Sequence, residues 1–281
     1  MQQIGQGIYV ETGYRGGNVG FVITGEGVIL INTPMIPYEA RDWRDEIASV
    51  TDQEVIYVIN TDYHPECIVG NQVFNAPVIA HEQTWRKVKS YGDSFRQRLV
   101  DSFKSEPKAA AQLKSLRIVS PQIALTERMD LYKGDKVLRL IYVGGHTPAS
   151  IIVHLPGDDV LFAGDIVVNG VHPVMDEASS KEWLDALTYI RRPWVKVDVI
   201  VPGEGEICDK EATKKLSRYI RRLRARMRGA YSTGQSRAQA ISSVAEMLGF
   251  FPGADEGEDT KQRLKVNAER IYEEMRTSGE E

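Results

Sequence analysis

The sequence predicts a layered α/β protein carrying a helical insertion and a helical tail. Three observations predict it. Short β-branched runs recur in two successive halves, each closing on a helix; a lysine-rich stretch with helical patterning separates the halves; and the chain after Cys208 is almost wholly helical.

The first half opens with Ile8–Val10, Gly20–Thr24 and Gly27–Ile31. Gly16-Gly17-Asn18 separates the first two, and Thr24-Gly25-Glu26-Gly27 suits a hairpin between the others. Tyr38–Val50 has helical spacing, with Trp43 and Ile47 four apart. Glu54–Asn60 is apolar enough to be buried on both faces, and Val78–Ala80 is a further short strand. From Glu82 to about Leu116 the pattern is helical and polar, which predicts an insertion rather than a second domain. Strands return at Ile123–Leu125, Lys136–Val143, Ser150–Leu155 and Val160–Ala163; a helix over Ser180–Arg191 and a last strand, Val197–Val201, follow. The division expected is a domain over 1–209 with a helical extension, 210–281, packed on it.

Hydrophobic residues at 42% suffice for a large core, and a formal net charge of −4 offers no field that draws in nucleic acid or an acidic membrane. Two cysteines cannot build a disulfide framework. The start, MQQIGQGIYV, lacks the regions of a signal peptide, and no apolar run is long enough to span a bilayer, so a soluble, cytoplasmic protein is expected. Residues 210–229 place Leu216, Tyr219, Ile220, Leu223 and Met227 on one stripe, with eight Lys/Arg between Lys214 and Arg228. Such a helix can bind nucleic acid, but a solvated outer face is the simpler reading, with Asp255, Glu256, Glu258 and Asp259 near enough in sequence to neutralise it.

Chemistry-bearing residues gather at strand ends. Asn60-Thr61-Asp62-Tyr63-His64-Pro65-Glu66-Cys67 follows the buried strand. Gly144-Gly145-His146-Thr147-Pro148, Phe162-Ala163-Gly164-Asp165 and Val201-Pro202-Gly203-Glu204-Gly205 follow three later ones. No GxSxG elbow, GxxxxGK[ST] loop, GxGxxG or CxxC pair is present.

In spacing, order and flanking residues these four motifs resemble the metallo-β-lactamase superfamily over roughly residues 5–210. That family carries His-x-His-x-Asp-His, then Gly-His-Thr-Pro, then Gly-Asp, then Pro-Gly-His-Gly. The resemblance implies an αββα sandwich with two metal sites at the sheet edges and hydrolysis by metal-bound water. Aligned on it, the ligand positions are Asp62, His64, Glu66, Cys67, His146, Asp165 and Glu204; His64, His146 and Asp165 match, and four differ. By the same resemblance Asp62, His64 and His146 would surround one ion, Glu66, Cys67 and Glu204 the other, with Asp165 bridging. Glu66 stands where the family has an aspartate that also orients the attacking water, which makes it the candidate catalytic residue.

Every replacement can still ligate a metal. With Asp+Glu at 39, His at 5 and Cys at 2, four random positions would all be ligand-capable about once in 1,500 trials, which weighs against simple decay. Charge pulls the other way. Four carboxylates and a Cys67 thiolate set five negative charges against two divalent ions, a poor arrangement for acidifying water. The pocket must hold metal, protons or a cation such as Arg15. One or two divalent ions (zinc, manganese or iron) are expected, or none if an arginine neutralises the acids. Tyr63, between two ligand positions, and His172, in the loop after Asp165, are candidate substrate contacts; His81 is expected to cap a helix or face solvent, and His154 to sit in the core.

Three kinds of function stay open: a metal-dependent hydrolase of a small ester, lactone or thioester, a non-catalytic binding or regulatory protein on the same scaffold, and a metal-based redox protein. The expected partner is a small-molecule substrate or ligand. Self-association is left open, nucleic acid is disfavoured and no membrane partner is expected.

Overall fold

The computed structural model describes residues 1–251 and 257–278. Two sheets stack face to face. The first, of seven strands, has the order β1(Gln2–Gly5)–β2(Ile8–Glu11)–β3(Val19–Thr24)–β4(Gly27–Ile31)–β5(Val55–Ile59)–β6(Val78–His81)–β7(Ile123–Leu125), antiparallel up to β4 and parallel after it. The second has the order β12(Val199–Glu204)–β11(Val160–Val168)–β10(Ile151–Leu155)–β9(Lys136–Tyr142)–β8(Arg128–Lys133). Here β11 and β12 are parallel and the remaining pairs antiparallel.

The strand pleat explains the layers. Along β3 and β4, Val22, Ile29 and Ile31 point into the space between the sheets, while Phe21 and Leu30 point outward against Trp43 and Ile47 of α1(Pro37–Val50). Along β10 and β11, Ile151, Val153 and Phe162 join the inter-sheet core. Ile152 and Leu161 face outward, against Trp183 and Leu187 of α6(Ser180–Ile190). Both faces of each sheet are therefore buried, and the architecture is αββα. Strands β1 and β8 were not expected: QQIG and RMDLYK are polar edge strands without an apolar run.

Residues 82–116 form α3(Glu82–Lys89), α4(Asp93–Ser102) and α5(Pro107–Lys114). They enclose a separate apolar cluster of Val88, Phe95, Leu99, Leu113 and Leu116 with Tyr63 and Cys67. After Cys208 come α7(Lys210–Ser232), α8(Arg237–Ser242), a short 3₁₀ turn at Ala245–Phe250 and α9(Glu258–Ser278). The apolar stripe of α7 (Leu216, Tyr219, Ile220, Leu223, Met227) packs with Leu264, Ala268 and Ile271 of α9 over the outer face of the second sheet. Part of its basic face is partnered within the fold, as Arg222 and Arg226 reach Glu246, and Arg224 reaches Glu274. Of the tail acids named above, Asp255 and Glu256 lie outside the described residues. No described helix is long and apolar enough to cross a membrane.

Strands β9, β11 and β12 all run in one direction, so their C-terminal ends share one edge of the second sheet. The end of β5 meets that edge, where Ile151 N–H donates to the Thr61 carbonyl at 2.9 Å. All four sequence motifs emerge there.

Candidate metal centre

A buried polar network sets the loop after β5. Asn32, at a left-handed φ of 57°, accepts from Thr61 N–H at 2.9 Å through Oδ1 and donates to Thr61 Oγ1 at 2.9 Å through Nδ2. Asn60 donates to the Cys67 carbonyl at 2.6 Å, and Asn71 donates to Asn60 Oδ1 at 2.7 Å. These groups are fully satisfied, and that is how a buried polar cluster becomes rigid. Asp62 Oδ1 then accepts from His64 N–H at 2.8 Å, an Asx-type turn, and Pro65 opens the short helix α2(Pro65–Ile68). Asp62 is left with Oδ2 free to point inward.

Two glycines place the third motif against the fourth. Gly164, at φ +51°, sits against Thr61, and its conformation kinks β11 immediately before Asp165. At Gly203 a Cβ would fall 2.1 Å from Asp165 Oδ1, so only glycine leaves room for that carboxylate. The pairing of β11 with β12 shifts register on either side of Gly164, a bulge that aims Asp165 inward.

Four ligand atoms converge. His146 Nε2 lies 3.1 Å from His64 Nδ1, 3.8 Å from Asp62 Oδ2 and 3.8 Å from Asp165 Oδ2; His64 Nδ1 is 3.9 Å from Asp62 Oδ2. All four lie within 4.8 Å of one another, and among the described residues no other group of three or more potential ligands does so. Bonds of about 2.1 Å to a tetrahedral ion put ligand atoms about 3.4 Å apart, so the donor set fits one divalent cation. The electrostatics agree. Burial resists a charge on His64, but Asp62, Glu177, Glu66 and Asp165 outweigh it and push its pKa up to about 10. Burial and the neighbouring charged His64 push His146 down to about 4. Burial, then Asp62, Glu66 and Glu204, raise Asp165 well above the usual carboxylate range. His64 Nδ1 and His146 Nε2, 3.1 Å apart, are near enough to share a proton or, with the two carboxylate oxygens, a cation.

The outer partner of His64 is Glu177, whose Oε2 is 3.3 Å from His64 Nε2 and whose Oε1 accepts from Lys87 Nζ at 2.9 Å. The bond to His64 holds the Glu177 carboxyl well below its ordinary range. A carboxylate behind a ligating imidazole fixes the tautomer, here leaving Nδ1 free for the metal. Glu177→Gln is expected to weaken binding of Zn²⁺ or Mn²⁺ by about 10- to 100-fold, measured by titration calorimetry. An unchanged affinity would show that Glu177 does not serve His64.

The remaining sequence candidates separate. Glu66 and Glu204 line the same cavity of about 210 Å³ as His64, His146 and Asp165, without joining the four-atom cluster. Burial raises Glu66, the charged His64 pulls it back, Asp62 and Glu204 push it up, and it stands at about 7. Glu204 Oε1 and Oε2 both accept from Arg263 Nη1, at 3.1 and 2.9 Å. Cys67 is not brought to the cavity: it packs in the apolar cluster of the insertion, with Sγ 3.6 Å from Thr61 Oγ1. Burial, and then Asp62, Asp165 and Glu66, raise its thiol well above its usual value. Tyr63 packs in that cluster too and lines a neighbouring outer cavity of about 570 Å³, which shares Asp176 with the inner one. His172 is not at the rim. The tail helices cover it, with Nδ1 3.3 Å from Tyr219 Oη and Nε2 3.0 Å from the Leu248 carbonyl. Arg15 pairs with Glu106 and stacks over Phe103, away from the acids. His81 is buried and caps α3, and His154 is buried against the Lys196 carbonyl.

Glu177, Arg263 and Asn267 carry no local sequence signal, and all three depend on α9 or the loop it grips. Along one face of α9, Arg263 donates to the His172 carbonyl (3.1 Å), Asn267 to the Pro173 carbonyl (2.8 Å) and Arg270 to the Ala178 carbonyl (2.7 Å). Asn267 Oδ1 accepts from Met175 N–H (2.9 Å), and Glu274 from Ser180 N–H (2.9 Å). The gripped segment, 172–180, presents Val174 and Asp176 to the cavity and Glu177 to His64. Asn267 is wholly buried, so Asn267→Ala leaves a backbone donor and acceptor without partners and should cost about 2–3 kcal/mol of unfolding free energy in a urea titration. A loss below about 0.5 kcal/mol would mean that the clasp is incidental.

Residues 12–204 match the family model described as the metallo-beta-lactamase superfamily. The chain is 22% identical over 227 residues to a metallo-beta-lactamase type 2 of Elizabethkingia meningoseptica, covering 75% of this chain and 81% of that protein. Its fold is similar to that of a metallo-beta-lactamase family protein from Thermus thermophilus (TM-score 0.68, 18% identity, 97% of this chain and 94% of the other). It is also similar to a stereoselective inverting sec-alkylsulfatase from Pseudomonas sp. (TM-score 0.76, 14% identity), where the match takes in 99% of this chain but half of the other.

Proposed function

The chain belongs to the metallo-β-lactamase superfamily, and on that premise we propose that it is a metal-dependent hydrolase of a small ester, lactone or thioester, with its ion held by Asp62, His64, His146 and Asp165. The observation that carries this reading is the convergence of two imidazole nitrogens and two carboxylate oxygens, all within 4.8 Å, on a cavity that a third acid, Glu66, also lines. A bound divalent ion supplies Lewis acidity, polarising a carbonyl and acidifying water. The residues of the chain do the rest. Glu66, whose carboxyl burial lifts to about 7 without metal and which a cation in the same cavity would bring lower, takes the proton of the attacking water and returns it to the leaving group. Trp183 packs edge-on against His146, with ring centroids 5.2 Å apart, and excludes water from the back of the site. Glu177 and Asp62 Oδ1 hold the His64 ring and backbone in place.

A sulfate ester is the second reading. Arg86, Lys87 and Arg270 line the outer cavity and suit an anionic group, and the likeness to the alkylsulfatase extends through the helical tail. The test loads purified protein with Zn²⁺, Mn²⁺ or Fe²⁺ and assays p-nitrophenyl acetate, a thioester, a lactone and p-nitrophenyl sulfate, each before and after chelation. Metal-dependent, chelator-sensitive turnover of one class is expected. Turnover of none, by protein that holds its metal, would favour a non-catalytic binding protein.

A further inference from the structure

The superfamily arrangement has room for a second ion, and the residues of this chain do not fit one. Its ligands would be Glu66, Cys67 and Glu204, with Asp165 shared. Cys67 lies in an apolar cluster with its sulfur against Thr61 Oγ1, and both oxygens of Glu204 are engaged by Arg263. That leaves Glu66 and an Asp165 already claimed by the four-atom cluster. The guanidinium is itself anchored, since the same Nη1 donates to the His172 carbonyl, and the clasp of α9 on 172–180 keeps it there.

We propose that Arg263 takes the electrostatic place of a second metal ion: by pairing with Glu204 it withdraws that carboxylate from coordination and makes this a one-ion centre. One divalent ion balances Asp62 and Asp165, and Arg263 balances Glu204, which leaves Glu66 and Asp176 as the further carboxyls lining the cavity. The crowd of acids that looks excessive in the sequence is met partly by metal and partly by the protein's own cation. An arginine suits the role because it stays protonated at any pH at which the protein is folded and cannot itself ligate a metal. The backbone on either side of Glu204 is held by the glycine loop near the N-terminus, where Asn18 donates to the Pro202 and Gly205 carbonyls at 2.9 and 2.8 Å. Glu204 is thereby held between the loop and α9.

This inference rests on the metal reading above, and ion counting tests the two apart. Protein loaded with excess Zn²⁺ or Mn²⁺, desalted and analysed by elemental mass spectrometry, should carry one ion per chain. Arg263→Met, which releases Glu204, should raise the count toward two and add a second, weaker event in calorimetry; Arg263→Lys, which keeps a cation there, should stay at one. Two ions in the wild type, or one in a folded Arg263→Met, would overturn the proposal. No ion in any of them would overturn the metal reading itself, and this inference with it. Should Arg263→Met not fold, the wild-type count still decides.

Discussion

Replacing His146 with alanine should abolish stoichiometric binding of a divalent ion. The side chain is 4% exposed, its Nε2 lies within 4 Å of donor atoms on His64, Asp62 and Asp165, and no other histidine can move into its place. Loss of an outer partner costs about 100-fold at most, and loss of one of four direct donors should cost more. Melting temperature reads the effect independently. At a metal concentration a hundred times the Kd, the wild type gains about 2.7 kcal/mol by mass action, or about 5–10 °C for a chain of this size, whereas His146→Ala should gain nothing. An equal metal-induced shift in both proteins would contradict the four-residue centre.

Substituting Glu66 with glutamine should lower kcat/KM by about 10²- to 10⁴-fold, the range for a general base, while leaving metal content at the wild-type level. The pH profile gives the sign. Without metal the Glu66 carboxyl stands at about 7, held up mainly by burial. A divalent cation in the same cavity favours the carboxylate, so the acid limb of the loaded enzyme should lie below 7, with activity rising as pH climbs through it. Glu66→Gln should lose that limb. A variant within threefold of the wild type and with the same profile would assign the proton transfer to another group.

The parts of the fold and site legible in the sequence are those written locally. Glycine turns mark the end of β9. The Gly164 and Pro202-Gly203 motifs mark the kinked stretch where β11 and β12, which run on to Val168 and Glu204 rather than stopping at Ala163 and Val201, pass the site. With the apolar run at Val55–Ile59 marking β5, Asp62, His64, His146 and Asp165 could be placed on one rim. What was not legible depends on chain returning from far away. Arg263 reaches Glu204 across 59 positions and Glu177 reaches His64 across 113. Nothing in the tail's helical periodicity distinguishes Arg263 from the other basic residues of that segment. His172 looked like a rim residue because it follows the Asp165 motif, yet tail helices that share no local pattern with it bury it. Cys67 shows the limit of counting ligand-capable residues: its chemistry allows coordination, and its direction, fixed by the polar network around Asn60 and Asn71, does not.

Anomalous diffraction from crystals grown with Zn²⁺, collected above and below the zinc edge, measures the central claim directly. The expected map has one peak per chain, within bonding distance of Asp62 Oδ2, His64 Nδ1, His146 Nε2 and Asp165 Oδ2, with the Arg263–Glu204 pair intact beside it. A peak between Glu66 and Glu204, or none among the four donors, would contradict it.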